Sequence, residues 1–322
     1  MAVTDLAVGA VAGALRKSRA PWMASHVNPE GDAVGALLGL GLALEQLGIR
    51  PTMYLRDGVP PNLNFLPGAD RIVRTLPTEP FDLLVIVDCD RLTRIGPEGA
   101  QAVRGQAPMV RIDHHISGPS EETLAELVDS KAAATAELIP DVIRALGAEV
   151  TRDIAICLLA GLVVDTGRYS YSNVTPHTLR LAAELVEAGA DPHQVFEEIY
   201  ENRTIGQTWL LGRALAKAQQ GASGSVIYSV LTPQDFVECD CRFRDTEGII
   251  DELRAVSDAE VAILFSDHGD GDVKVSLRSR GAVNVAEVAE TFGGGGHAQA
   301  SGLRSAKPLD EVVKMVLDAV TR

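Results

Sequence analysis

An apolar segment of the sequence, MVRIDHHISG at residues 109–118, runs directly into an acid and two adjacent histidines. Titratable groups at the end of a buried strand are costly to desolvate unless a charged or hydrogen-bonding partner receives them, and a metal ion, which carries charge and binds their lone pairs, can be that partner. Asp113, His114 and His115 therefore indicate a functional site.

Three further clusters of ligand-type residues lie at the ends of apolar segments. Carboxylates and imidazoles in such numbers suit Mn²⁺ or Mg²⁺, and one carboxylate can bridge two ions that together clamp a phosphoryl group. Each residue alone has an ordinary explanation as a helix cap or a hydrogen-bonded strand end, but their joint occurrence predicts a metal centre of a hydrolase. The residues are His26, Glu30 and Asp32 in HVNPEGD, Asp88 in VDCD, and Asp165 in LVVDTG.

The elements that would position these residues follow the pattern of an α/β protein. The segments PWMASHV, TMYLR, LLVIVD and MVRID are predicted to be short strands, and the last two are almost wholly apolar, as is typical of parallel strands buried on both faces. Ligands in an open parallel sheet gather beyond the carboxyl ends of the strands, so three of the clusters are expected at one edge. The sequence predicts a doubly wound parallel-sheet domain and a second, smaller α/β domain.

A break in pattern at GASGS, residues 221–225, separates a largely helical stretch from a new series of strands and helices. We therefore expect a metal-binding domain over residues 1–200, a helical linker over 201–222 and a second domain over 223–322.

Charge and composition narrow the class of protein. A formal net charge of −15 disfavours a protein that grips long duplex nucleic acid, because that needs a broad basic surface. The four cysteines are scattered and are interpreted as reduced packing thiols. We find no apolar run of membrane-spanning length, and the basic residues near the N-terminus follow the apolar stretch, opposite to a secretory signal. A cytoplasmic protein without membrane contact is expected.

Several motifs resemble those of a known family. HVNPEGDAVG, VDCDRLTRIG, RIDHHISG and VVDTGRYSYSNVTP, in this order and spacing, resemble the DHH phosphoesterase family, and VSLRSR with VNVAEVAETFGGGGHAQASG resembles the DHH-associated C-terminal domain. The resemblance covers nearly the whole chain and is nearest to the nanoRNase/pAp-phosphatase subfamily. It implies an enzyme dependent on two Mn²⁺ ions, with Mg²⁺ possible, that releases 5′-mononucleotides from very short oligonucleotides and dephosphorylates pAp.

The resemblance also implies how the ligands divide between the two ions. Asp88 would bridge both. Carried over by position, the first ion would be held by His26, Glu30 and Asp88, and the second by Asp32, Asp88, His114 and Asp165.

Four neighbouring residues need separate interpretation. Asp90 shares a strand face with Asp88 by the period-two rule, so it is a competing candidate, although the family pattern matches Asp88. Asp113 is implied to orient an imidazole, and His115 to contact the scissile phosphate. Glu30 stands where the family usually has Asp, which is expected to alter the affinity for the first ion or the choice of metal.

The second domain carries the residues expected to recognise substrate. Arg278 and Arg280 share a strand face, with Lys274 in phase, although a solvated sheet edge would show the same pattern. A run of four glycines before His297 allows close approach of backbone N–H groups to a phosphate or sugar, unless it is a flexible loop. The resemblance implies a nucleotide site facing the metal site across an interdomain cleft, which would limit substrates to a few nucleotides. Its residues would be Arg278, Gly294, Gly295, Gly296 and His297.

Three other functions remain open from the sequence. The nearest is a phosphodiesterase of c-di-AMP or pApA. A family II inorganic pyrophosphatase shares the metal motifs but lacks the GGGGH segment. A nucleotide-binding regulator without catalysis is indicated only by Glu30. The resemblance also implies a homodimer.

Overall fold

A computed structural model describes residues 3–115, 123–221, 224–246, 248–269 and 271–320. The chain divides into two compact units, Met1–Asn202 and Arg203–Arg322. The expected domain boundary at residues 222 and 223 falls outside the described residues, as does the end of the RIDHHISG motif. None of the helices in the described ranges has the length and apolar character needed to span a membrane.

The first unit alternates strands and helices. Its five strands form one sheet in the order β2-β1-β3-β4-β5, and every neighbouring pair is parallel, which confirms the predicted α/β class. The elements are α1 (Val3–Lys17), β1 (Pro21–Ala24), α2 (Gly31–Gln46), β2 (Thr52–Tyr54), β3 (Leu83–Val87), α3 (Pro97–Val103), β4 (Met109–Asp113), β5 (Ala125–Val128), α4 (Ile139–Leu146), α5 (Arg152–Asp165), α6 (Pro176–Glu187) and α7 (Pro192–Tyr200).

Both faces of this sheet are buried, as the apolar strands predict. Val85 and Val87 of β3 face the larger core with α2 and α5, whereas Leu84 and Ile86 face a smaller core that α3 covers. The chain passes from β1 outward to β2 and then returns to β3 on the other side of β1. The carboxyl ends of β1 and β3 therefore flank the topological switch point of the sheet, where ligands bind in such folds.

Helices α2 and α5 pack antiparallel at very short distance. A side chain at Gly35 would collide with the carbonyl oxygen of Cys157 in α5, and a Cβ on Gly161 would lie 2.9 Å from Oδ1 of Asp32 in α2. Glycine is therefore required at both positions for the helices to approach. Because the helices run in opposite directions, the start of α2 lies beside the end of α5.

The second unit contains a mixed sheet. Its strand order is β10-β11-β9-β8-β7-β6, with β7 and β8 parallel and the other pairs antiparallel. The elements are α8 (Ile205–Ala216), β6 (Gln219–Gln220), β7 (Val226–Leu231), α9 (Pro233–Glu238), α10 (Ile249–Arg254), β8 (Val261–Asp267), β9 (Val273–Ser279), α11 (Val285–Glu290), β10 (Gly295–His297), β11 (Ala300–Ser305) and α12 (Leu309–Val320).

The segment expected to be a linker, 201–222, contains α8. Leu210 and Ala214 of this helix are buried in a core of the second unit, together with Leu231 and Phe236. Helix α8 is thus a packed part of that unit.

Candidate metal centre

The ligand-type residues of the first unit converge at the carboxyl edge of its sheet. His26 lies two residues after β1, Asp88 directly follows β3, and β4 ends at Asp113, immediately before the two histidines. The antiparallel α2 and α5 complete the site, because Asp32 lies in the first turn of one helix and Asp165 is the last residue of the other.

Asp88 lies between the histidines of the site. Its Oδ2 is 3.3 Å from Nε2 of His26, whereas its Oδ1 is 3.7 Å from Nε2 of His114 and 3.6 Å from Nδ1 of His115. The two oxygens of one buried carboxylate thus face different imidazoles. A carboxylate in this position can give one oxygen to each of two cations.

A second group surrounds Nε2 of His114. The nearest carboxylate oxygens are those of Asp165 at 3.1 Å, Asp88 at 3.7 Å and Asp32 at 3.9 Å. In an octahedral Mg²⁺ site with metal–oxygen distances of about 2.1 Å, neighbouring ligand atoms are about 3.0 Å apart and opposite ones about 4.2 Å apart. The distances from Nε2 to the three oxygens fall within that range, so this donor set fits a small divalent cation.

The tautomers of the two histidines also fit metal binding. Nδ1 of His26 lies 2.9 Å from the carbonyl oxygen of Val27, and Nδ1 of His114 lies 3.3 Å from that of Ala132. An imidazole that donates from Nδ1 to a backbone carbonyl presents Nε2 as its lone-pair nitrogen, which is the arrangement usual in metal sites.

In the metal-free site, protons on the histidines compensate the negative charges of the carboxylates. Burial lowers the pKa of His26, but the hydrogen bond and charge of Asp88 outweigh it and raise this pKa to about 9. Burial likewise opposes protonation of His114, yet Asp165, Asp32 and Asp88 raise its pKa to about 11. A divalent cation would replace these protons, since its charge satisfies the same carboxylates.

The pKa values of the two buried acids Asp32 and Asp88 are shifted in opposite directions. Burial and the charges of Asp88 and Asp165 raise the pKa of Asp32. Burial also acts to raise the pKa of Asp88, but its histidine neighbours overcome that effect and lower it. Asp88 is therefore the anionic centre of the cluster.

Glu30 occupies the residue before α2, with an exposed side chain and no capping hydrogen bond from it. Its charge is close enough to His26 to help raise the pKa of that imidazole. Asp90, the competing candidate, directs its carboxylate at Arg91, 2.8 Å away. The chain turns after β3, since Asp88 has a positive φ of 56°, so the alternation of a strand does not continue to Asp90.

Asp113 and His115 form a close pair beside the cluster. Oδ1 of the fully buried Asp113 lies 2.7 Å from Nδ1 of His115 and accepts a hydrogen bond from the backbone N–H of the same residue at 3.2 Å. Burial acts to lower the pKa of His115, but the hydrogen bond to Asp113 and the charge of Asp88 outweigh it and raise this pKa. The imidazole is thereby held in one orientation and favoured in its cationic form.

A short turn at Thr135–Glu137 supplies hydrogen bonds that the sequence did not reveal. The Thr135 side chain donates to Oδ1 of Asp88 at 2.9 Å, and the backbone N–H groups of Thr135 and Ala136 donate to Oδ2 and Oδ1 of Asp32 at 2.6 and 2.8 Å. This turn lies in the segment AAATAE, whose alanines favour a helix. Its threonine was the only available signal, and α4 begins only at Ile139.

The substrate-site candidates of the second unit lie on or beside strands β9 and β10, which β11 separates in the sheet. Nε of Arg278 on β9 is 3.2 Å from Asp251, and Gly295–His297 forms the edge strand β10, paired with β11. A side chain at Gly294 or Gly296 would collide with the backbone of β11. Close pairing of β10 with β11 therefore explains why glycine occupies these positions, in addition to the approach of a phosphate or sugar considered from the sequence.

Fold and site together define an α/β protein of two units with a carboxylate–histidine centre at the edge of a parallel sheet. Residues 22–162 match the family model of the DHH family, N-terminal domain, and residues 223–322 match that of the DHHA1 domain. The chain belongs to the DHH phosphoesterase family. It is 33% identical over 316 residues to the Thermus thermophilus protein named bifunctional oligoribonuclease and PAP phosphatase NrnA, covering 96% of this chain and 92% of the relative.

Solved structures show the same fold. An exopolyphosphatase-related protein from Bacteroides fragilis superposes with a TM-score of 0.90 at 22% identity, covering 98% of this chain and 96% of that chain. RecJ from Thermus thermophilus in complex with Mn²⁺ gives a TM-score of 0.57 at 14% identity, covering 99% of this chain and 55% of that chain.

Proposed function

We propose that this protein is a bifunctional oligoribonuclease and pAp phosphatase that hydrolyses phosphoesters with two divalent cations. The observation that carries the proposal is the placement of Asp88, whose two oxygens face His26 on one side and His114 on the other. The choice of substrates, very short oligoribonucleotides and pAp, is supported by the name of the Thermus thermophilus relative.

The proposed ions are Mn²⁺, with Mg²⁺ as the alternative. The mixed carboxylate and imidazole donors suit either ion, and RecJ, a protein of the same fold, has been crystallised with Mn²⁺. Such ions would supply Lewis-acid polarisation of a phosphoryl group. The proposed ligands are His26, Glu30 and Asp88 for one ion and Asp32, Asp88, His114 and Asp165 for the other.

His115 is proposed to contact the scissile phosphate. Asp113 holds Nδ1 of this imidazole at 2.7 Å, so the ring is oriented and Nε2–H is the donor left for the phosphate. The raised pKa of His115 favours the imidazolium, whose positive charge stabilises the negative charge that develops during phosphoester hydrolysis.

Recognition of the nucleotide is proposed for the second unit. The match to the DHHA1 domain supports this assignment, as does the edge position of β10, which holds part of the GGGGH segment. The proposed residues are Arg278, Gly294, Gly295, Gly296 and His297. We also propose a cytoplasmic homodimer; the four free cysteines are typical of a reducing compartment.

A substrate panel tests this function. Metal-free protein is resupplied with Mn²⁺ or Mg²⁺ and given 5′-labelled oligoribonucleotides of two to about twenty units, pAp, c-di-AMP and pyrophosphate. We expect 5′-mononucleotides from the shortest oligonucleotides and AMP with phosphate from pAp. Preference for c-di-AMP or pyrophosphate over these substrates would contradict the proposal.

Asp88→Asn is the decisive variant. Loss of the bridging charge should lower both activities by more than about a hundredfold. Substitution of a residue that only supports a metal ligand already lowers metal affinity or activity about 10- to 100-fold. Asp90→Asn is the matched control, since Asp90 lies two residues further on and pairs with Arg91, and it should retain activity. Wild-type rates for Asp88→Asn would exclude the proposed centre.

A further inference from the structure

We infer that Thr135 is a positioning residue that holds Asp88 in the bridging orientation, an inference that rests on the proposed two-metal function. Thr135 lies on the turn before α4 and is completely buried. It has no place among the ligands expected from the sequence, and its own side chain is not required to touch a cation or the substrate.

The Thr135 hydrogen bond selects one oxygen of Asp88. The hydroxyl donates to Oδ1 at 2.9 Å, and Oδ1 is the oxygen that faces His114 at 3.7 Å. Oδ2 then remains directed at His26, 3.3 Å away. A carboxylate can rotate about its Cβ–Cγ bond, so a fixed donor at one oxygen keeps the two oxygens pointing to the two halves of the site.

The same turn fixes Asp32. Its two backbone N–H groups each bind one oxygen of that carboxylate, although Asp32 and Thr135 are 103 residues apart in the sequence. One turn therefore sets the orientation of two acids that come from different elements. An oxygen of a carboxylate has two lone-pair directions, so each hydrogen bond still leaves one direction for a cation.

The turn is itself anchored on both sides. The Glu137 carboxylate accepts hydrogen bonds from the backbone N–H of Ala133 at 2.8 Å and from the Thr178 side chain at 3.2 Å. The Asn173 amide donates to the carbonyl oxygens of Ala133 and Asp165, both at 3.0 Å. The position of the Thr135 hydroxyl is thus tied to the end of α5, which carries the proposed ligand Asp165.

Water cannot replace this hydroxyl in the described structure, because Thr135 has no exposed surface. Thr135→Val keeps the shape of the side chain and the backbone donors to Asp32, but removes the donor to Asp88. Thr135→Ser keeps the donor. The pair of variants therefore separates the hydrogen bond from packing.

Mn²⁺ titration of metal-free protein, followed by electron paramagnetic resonance, provides the test. Two Mn²⁺ ions bridged by a carboxylate give an exchange-coupled spectrum, whereas separate ions give the six-line signal of isolated Mn²⁺. For the wild type and Thr135→Ser we expect the coupled spectrum at two equivalents. For Thr135→Val we expect loss of the coupled signal and a dissociation constant for the weaker ion raised about 10- to 100-fold.

Ser229→Ala is the matched control, because Ser229 is also a buried hydroxyl that donates a hydrogen bond, at 2.7 Å to Ala214, but lies in the second unit. Its Mn²⁺ spectrum should be that of the wild type. Should Thr135→Val fail to fold, Thr135→Ala is titrated in its place with the same expectation. An unchanged coupled spectrum without the hydroxyl would overturn the inference alone, whereas a wild-type protein that never holds two Mn²⁺ ions would overturn the proposed function as well.

Discussion

Asp88 combines an unusual backbone conformation with a central charge. Its φ of 56° lies in the left-handed region, which disfavours most side chains but is tolerated by Asp and Asn. Its backbone N–H donates to the carbonyl of Ile112 at 2.9 Å, and the Arg111 guanidinium donates to that of Asp90 at 2.5 Å. The turn after β3 is therefore held from β4. Because Asn accepts the same backbone conformation, Asp88→Asn changes charge with little change in backbone preference.

The histidine pKa values predict how the stability of the metal-free protein depends on pH. The pKa of His26 rises from 6.5 to about 9 on folding, so the folded state binds a proton more tightly than the unfolded state. The resulting stability is complete below about pH 6.5 and is lost as the pH rises through about 9. His26 alone should account for a loss on the order of 3 kcal/mol, and His114, whose pKa is raised to about 11, adds a loss of the same sign. The total is measured by urea unfolding in a chelator between pH 6 and 9.5.

The control for this pH dependence is Asp88→Asn. Asp88 supplies the hydrogen bond and charge that raise the pKa of His26, so the slope of unfolding free energy against pH should become shallower in the variant. Stability of the metal-free wild type that rises over this interval would show that the imidazole is not charged in the folded state.

Much of the residue-level site follows from simple rules, and one part does not. His26, Asp88 and His114 meet because each follows a parallel strand, and strand ends are recognisable in the sequence. The hydrogen bond of Thr135 to Asp88 depends on a three-residue turn whose contact partner is distant in sequence. Alanines flank this threonine, and they favour a helix, so no local pattern indicated the turn.

At the level of elements, the pairing of α2 with α5 determines whether Asp32 and Asp165 can lie in one site. The two helices approach each other closely at Gly35 and Gly161. A Cβ on Gly161 would also lie 2.9 Å from Oδ1 of Asp32, whereas one on Gly35 would meet only the backbone of α5. Substitutions at the two glycines can therefore distinguish the effect of helix packing from the effect of displacing the Asp32 carboxylate.

Alanine substitutions at these glycines should give different results. Gly35→Ala forces the helices apart and should destabilise the first unit by about 1–3 kcal/mol in urea unfolding. Gly161→Ala should in addition weaken Mn²⁺ binding, measured by calorimetric titration, because it displaces the Asp32 carboxylate.

Gly13→Ala in α1 is the control for both variants, since no atom lies within 4 Å of a Cβ built there. It should be neutral or stabilising by up to about 1 kcal/mol, as expected for a partly buried helix position with room for a methyl group. Equal Mn²⁺ affinity in Gly161→Ala and Gly13→Ala would show that the close packing of α2 against α5 does not position Asp32.

The elements of the molecule were predictable to different degrees. The strands β1, β3 and β4 and their parallel arrangement were expected, because continuous apolar runs that end in polar residues are distinctive. Strand β10 was not expected, since GGGGH has no strand propensity. It pairs with β11 because Gly294 and Gly296 permit close contact, and such a pairing is set by tertiary structure.

At the scale of the whole molecule, each unit has its own hydrophobic cores. Among the described residues, two clusters of buried side chains lie in the first unit and two in the second. All proposed metal ligands belong to the first unit. Ion binding should therefore stabilise the two units unequally.

Scanning calorimetry of the whole chain should show two unfolding transitions. Mn²⁺ should raise the midpoint temperature of the first unit's transition and leave that of the second unit unchanged. The stabilisation should be about 4 kcal/mol at an ion concentration a thousand times the dissociation constant. Equal shifts of both transitions would show that the units unfold as one.

A variant in the second unit identifies the other transition. Asp235 is buried, where burial alone would raise its pKa, but hydrogen bonds from Lys217 at 2.6 Å and from Thr232 at 2.8 Å lower it to about 2. Asp235→Asn removes this charge and should lower only the Mn²⁺-independent transition. A lowered Mn²⁺-responsive transition would contradict the assignment.

The antiparallel contact between α2 and α5 has a consequence for the order of events during biosynthesis. Asp32 leaves the ribosome long before Asp165, and the two acids can share a cation only once both helices have docked. Binding of a cation at the proposed centre would therefore follow the assembly of this part of the fold. Until then the nascent chain must accommodate its buried acids with protons, backbone amides and the Thr135 hydroxyl.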